Sequence, residues 1–168
     1  SEMPKALFRV CGVPMVELVI RAMHEVGVER PIVIVGHQAE LVTEMIGPGC
    51  DYATQSEQKG TGHAALMAKE WLEGHDGPVL VAPGDAPLLT VESLRNLRCR
   101  HEESGAQATL ATCHLADPTG YGRILRSGTG AVVGIVEERD ATTEEKQIDE
   151  INAGIYCFNA QTLLGVLP

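Results

Sequence analysis

The sequence predicts an α/β domain with a mostly parallel core and a more antiparallel second half. Three observations carry that prediction. Short unbroken apolar runs lie at residues 31–35 and 79–82, as in parallel strands covered on both faces. Stretches of helical periodicity alternate with them. From residue 122 onward the pattern changes to short strands separated by turns.

The elements follow in order. Over residues 14–26, Met15, Val19, Met23 and Val26 recur at helical spacing, with Leu18 and Ala22 beside them. Pro14 suits a first helical turn, and Gly27 suits the position just past the last one. The apolar run 31–35 then ends at Gly36. A helix is expected over 40–46, a short strand near Tyr52, and a helix over 60–72 whose apolar side includes Ala64, Met67, Trp71 and Leu72. The second buried strand, 79–82, precedes a helix over 91–102 and a strand over 108–113. Strands are expected at 122–125, 131–136 and 151–158, the first two joined through Ser127-Gly128-Thr129-Gly130, and a short helix near Gln161. No repeat, low-complexity tract or linker interrupts the chain, so residues 1–168 read as a single domain.

Composition narrows the functions open to such a domain. Apolar residues make up 44% and charged residues 21%, ordinary globular values. The net charge of −10 repels phosphate backbones and anionic membranes, which argues against nucleic acid and membrane partners. Aromatics, at 4%, are too few for a base-stacking platform. An acidic protein handling anionic substrates needs a metal ion to screen them. The five cysteines form no C-x-x-C pair and read as reduced, mostly buried thiols of a cytoplasmic protein. No apolar run reaches the length of a transmembrane helix, and Ser1-Glu2-Met3-Pro4 is not a signal peptide. The six histidines show no zinc spacing.

Four segments can carry chemistry. Pro83-Gly84-Asp85-Ala86-Pro87 directly follows a buried strand, where open α/β sheets bind ligands. A carboxylate there can hold Mg2+ beside a phosphate, or simply cap a turn between prolines. Gln55 to His63 joins a strand to a helix. Its Gly60-Thr61-Gly62 lets backbone approach a ligand, and the Gln55 amide suits a nucleobase edge. The plainer reading makes Thr61 a helix N-cap. His63, in the first helical turn, reads as structural. The lack of G-K-[ST] excludes a Walker loop. Asp117-Pro118-Thr119-Gly120-Tyr121-Gly122-Arg123 is a sharp turn over a ligand or a plain hairpin. Finally, Glu137 ends one apolar strand and Asn152 lies inside another. Asn152 needs a buried partner, either a sugar group or a backbone amide.

Taken together and in order, Pro4-Lys5, Gln55 with Gly60-Thr61-Gly62-His63-Ala64, Gly84-Asp85-Ala86-Pro87-Leu88, residues 117–123, Gly134-Ile135-Val136-Glu137 and Glu150-Ile151-Asn152 resemble the sugar nucleotidyltransferase family. The resemblance is closest to the pyrophosphorylase domain of bacterial N-acetylglucosamine-1-phosphate uridyltransferases. It implies a Rossmann-like three-layer nucleotidyltransferase fold with a mostly parallel central sheet and a more antiparallel sugar-binding half. It also implies a Mg2+-dependent transfer from UTP to N-acetylglucosamine-1-phosphate, in cell-wall precursor synthesis. Lys5 would meet the phosphates and Asp85 would ligate Mg2+, as the catalytic pair. Gln55, Gly60 and Thr61 would read the uracil, and Gly122, Glu137 and Asn152 would hold the sugar.

The family also has an N-terminal strand with a glycine-rich triphosphate loop, a second metal ligand (an asparagine) and a C-terminal acetyltransferase domain. None of these is in this sequence. The resemblance therefore implies an incomplete version of a longer protein, itself without robust activity and homo-oligomeric when whole. Two other readings stand beside it: a non-catalytic nucleotide-sugar binding module, and a nucleotidyltransferase for another sugar-1-phosphate. Pro83, where relatives often carry a hydroxyl, bears on the latter.

Overall fold

The computed structural model describes residues 3–57 and 60–167. Ser1, Glu2, Gln58, Lys59 and Pro168 lie outside the described residues, and with them part of the N-terminal tetrapeptide and of the segment from Gln55 to His63. The chain divides into two compact units. The first is Ser1–Thr109 with Cys157–Pro168, and the second is Leu110–Tyr156.

In the first unit, Lys5–Leu7 make one 3-10 turn. β1 (Arg9–Val10) and β2 (Val13–Pro14) form a hairpin across Cys11 and Gly12, at φ 51° and 83°. Two left-handed residues give a two-residue turn the twist that its strands require. Arms this short leave no periodicity, and the sequence did not announce them. α1 (Met15–Glu25) buries Met15, Val16, Val19, Ile20, Ala22 and Met23. Gly27, at φ 97°, ends it as expected.

β3 (Ile32–Val35), α2 (Ala39–Ile46) and β4 (Asp51–Thr54) follow. β3 and β4 pair in parallel, Ile32 opposite Asp51 and Val35 opposite Thr54. Leu7, Val16, Ile20, Val35, Val42 and Cys50 form the core beneath them, with Val33 packed against it. Strand residues two apart share a face, so Val33 and Val35 look toward this cluster together. This corrects one expectation. In β3 only Val35 is fully buried while Ile32, Val33 and Ile34 are half-buried, and all of β5 (Pro78–Val81) is half-buried.

The helix expected over 60–72 is two: α3 (Thr61–Leu66) and α4 (Lys69–Leu72). Met67 and Ala68 donate to Ala64 and Ala65, three residues back, which tightens the chain into a turn. No proline or glycine marks the break. α5 (Val91–Ser104) starts at Thr90, whose hydroxyl accepts from Ser93 N–H at 3.1 Å, and stops at Gly105 in the left-handed region. β6 (Ala108–His114) follows.

In the second unit, β7 (Arg123–Arg126) and β8 (Val132–Val136) form the expected hairpin, with Ser127 N–H donating to Ala131 O at 2.8 Å. Glu145–Gln147 make a 3-10 turn, and β9 (Glu150–Asn159) pairs antiparallel with β7, Arg123 opposite Ile151. β9 also pairs with β6. α6 (Ala160–Val166), capped by the Asn159 side chain, belongs to the first unit. The architecture is therefore mixed α/β: the first unit holds the parallel pair β3–β4 beside the short antiparallel hairpin β1–β2, and the second holds the antiparallel β7–β8 and β7–β9 pairs.

The cysteines are all free thiols, but only Cys50 and Cys157 are buried; Cys11, Cys99 and Cys113 are exposed. Burial pushes the Cys157 thiol up to about 11. No described helix is long and apolar enough to cross a membrane.

Candidate active site

The turn after β5 carries Asp85. A Cβ on Gly84 would lie 3.5 Å from Val16 and 3.9 Å from Ala6, so this turn packs against the start of α1 and the 3-10 turn bearing Lys5. That contact sets Lys5 Nζ 2.6 Å from Asp85 Oδ2, although eighty residues separate them. The pair is open to solvent: the lysine side chain is 73% exposed and the aspartate 35%. Two groups that can bind phosphate and a cation therefore meet at the carboxyl end of a strand.

In the same unit, Gln55 leaves β4 with its N–H donating to Val35 O at 2.7 Å. Its side-chain Nε2 donates to Gly60 O at 3.2 Å and lies 2.9 Å from His63 Nδ1. Gly60, at φ 96°, takes a conformation closed to most side chains, and it is the residue that caps α3. Thr61 is not the N-cap. It is the exposed first residue of the helix, and its hydroxyl makes no capping bond. Gln55, Gly60 and Thr61 are thus brought together by a loop closed through Gln55, and His63 does serve that loop structurally.

The second unit brings Gly122, Glu137 and Asn152 together. Asn152 N–H donates to Gly122 O at 2.8 Å. A Cβ on Gly122 would stand 3.1 Å from Ile135 Cγ2 and 3.3 Å from Glu137 Oε1, so the Glu137 carboxylate rests directly against this glycine. Asn152 satisfies its side chain within its own strand: Oδ1 accepts from Gly154 N–H at 3.0 Å, and Nδ2 donates to the Tyr156 hydroxyl at 2.6 Å. The partner it needed is a backbone amide and a phenol.

Against this geometry, comparison with known proteins is informative. The family model of the MobA-like NTP transferase domain matches residues 1–146. The chain belongs to that family. Among curated relatives, this MobA-like NTP transferase domain is 48% identical over 168 residues to the bifunctional protein GlmU of Carboxydothermus hydrogenoformans. It is 47% and 45% identical over 167 residues to the proteins of that name from Halalkalibacterium halodurans and Enterococcus faecalis. These matches cover 99–100% of this chain but 36–37% of each relative, so the chain spans little more than a third of their length.

In this MobA-like domain the carboxylate that could take part in holding a divalent cation beside Lys5 is Asp85. No cluster of three or more metal-ligating side chains occurs among the described residues. Mg2+ does not need one, because it keeps waters and completes its shell with substrate phosphates around one or two carboxylates. Asp85 is such a carboxylate, and its present partner Lys5 sits on an exposed, movable stem.

Several residues of consequence carried little signal in the sequence. Arg123 is 1% exposed, with Nη2 2.7 Å from Glu138 and further bonds to the Tyr121 and Lys146 carbonyls. Its sign was a single arginine opening an apolar strand. Arg126 grips buried Glu150 with two bonds of 2.6 and 2.7 Å. With Thr112 also donating, the Glu150 carboxyl falls to about 2. A histidine–carboxylate pair does exist, His114 with Asp149 at 2.9 Å. Both are about two-thirds exposed, the setting of a surface contact rather than a catalytic dyad.

Proposed function

We propose that this domain transfers a uridylyl group from UTP to N-acetylglucosamine-1-phosphate, giving UDP-N-acetylglucosamine and pyrophosphate in a Mg2+-dependent reaction. The observation that carries the reading is the meeting of Lys5 with Asp85 at 2.6 Å. The names of the relatives and the convergence of Gly122, Glu137 and Asn152 support its sugar half.

A phosphate oxygen of the sugar phosphate attacks the α-phosphorus of UTP. The new P–O bond forms as the bond to the β-phosphate oxygen breaks, and pyrophosphate leaves with that electron pair. The nucleophile is already an anion, so no general base is required. The protein's work is alignment and the spreading of negative charge. Lys5, freed from Asp85, meets phosphate oxygens, and Asp85 would hold Mg2+. When bound, the ion supplies positive charge to the phosphates that an acidic protein otherwise repels. Gln55 with Gly60 and Thr61 reads the uracil edge, and Gly122, Glu137 and Asn152 hold the sugar. The setting is cytoplasmic, in the making of cell-wall precursors. The whole protein is a homo-oligomer.

The test is pyrophosphate release from UTP plus N-acetylglucosamine-1-phosphate, with and without Mg2+, on this chain and on Asp85→Ala. Mg2+-dependent release is expected to fall by roughly 10²–10³-fold in the variant. Release that ignores both Mg2+ and the substitution would overturn the assignment of Asp85. UDP-N-acetylglucosamine binding without any release would make the chain a binding module. Turnover of a different sugar-1-phosphate or of dTTP would replace the substrate.

A further inference from the structure

Two adjacent glutamates close β8, and they do different things. Glu137 is exposed and lies against Gly122. Glu138 turns the other way. Its carboxylate sits 2.7 Å from the buried guanidinium of Arg123. Arg123 in turn donates to the carbonyls of Tyr121 and Lys146. Every residue from Tyr121 to Arg123 is therefore tied: Arg123 to Glu138, Tyr121 to Arg123, and Gly122 to Asn152 through its carbonyl.

We propose that Glu138 is a positioning residue for sugar recognition: through Arg123 it holds the loop 121–123 so that Gly122 stays against Glu137 and Asn152. This rests on the sugar reading of those three residues given above.

The chemistry favours a device of this kind. Gly120, at φ 86°, gives the loop a freely rotating joint in the unfolded chain, so something must select its one folded conformation. The fixed planar fork of a buried arginine does so better than a lysine would. Glu138 supplies the countercharge that such a buried cation requires, since Arg123 is 1% exposed. Arg123 and nearby Lys146 hold the Glu138 carboxyl below the usual glutamate range, so the countercharge is present at neutral pH. A purely structural ion pair would hold the fold without any bias between ligands. A positioning pair acts on the sugar half alone.

The experiment uses the full chain with Glu138→Gln, Glu138→Asp and, as a second route to the same loop, Arg123→Lys. Calorimetric dissociation constants are measured for UDP-N-acetylglucosamine and for UTP, alongside amide exchange at residues 121–122. Glu138→Gln is expected to weaken UDP-N-acetylglucosamine about tenfold and leave UTP within about twofold. Exchange at 121–122 should rise, with partial recovery in Glu138→Asp. Equal weakening of both ligands, or unchanged binding with unchanged exchange, overturns the proposal. A wild-type chain that binds UTP but not UDP-N-acetylglucosamine overturns the sugar reading itself, and the proposal with it.

Discussion

Gly122 has a Cβ-sized space filled by Ile135 on one side and the Glu137 carboxylate on the other. Its backbone needs no unusual φ; the constraint is purely one of contact. Gly122→Ala should therefore push Glu137 off its position by a few tenths of an ångström. We expect a loss of about 1–2 kcal/mol in stability from overpacking, read by urea unfolding. Affinity for UDP-N-acetylglucosamine should fall more steeply than affinity for UTP. Unchanged sugar affinity in a folded variant would remove Gly122 from the site. Most candidate residues were legible at this scale because glycine, glutamine and carboxylate side chains stand out among apolar neighbours. Their partners were not. Gln55 closing on His63, Asn152 satisfied by Gly154 and Tyr156, and Lys5 on Asp85 are contacts across turns or across the fold that no spacing rule encodes.

Elements carry the next level of constraint. β7 and β9 are joined by Arg126 and Glu150 as well as by backbone pairing, and Glu150 is 8% exposed. Arg126, then the Thr112 hydroxyl, lower its carboxyl from 4.5 to about 2. A depressed folded-state value contributes stability above the unfolded value and loses it as pH falls through the folded one. The contribution is thus full above pH 4.5 and fades toward pH 2. Glu150→Gln should cost about 2 kcal/mol at pH 7. The gap from wild type in urea midpoints should close as the pH approaches 2. A gap independent of pH would mean that packing, not charge, matters there. Helix and strand positions were largely legible from periodicity, from α1 to α6. The break between α3 and α4 was not, because residues 60–72 keep helical spacing through it and the turn at Met67 and Ala68 follows no local breaker.

For the molecule as a whole, charge is the property that acts at long range. A net charge of −10 repels polyanions, so the chain should pass unretained through a heparin column at about 50 mM salt. Retention there would reveal a local basic surface that the total conceals. By itself the sequence determined the α/β class, the order of the main elements and the acidic character. These follow from residue type and short-range periodicity, which are properties of the chain one window at a time. Only the tertiary structure decided that β3 and β5 stay half-buried, that Lys5 meets Asp85, and that Arg123 and Glu138 tie down the loop bearing Gly122. The reason is physical: burial and ion pairing depend on which distant segments arrive at the same place, and that is settled by packing rather than by any stretch of sequence.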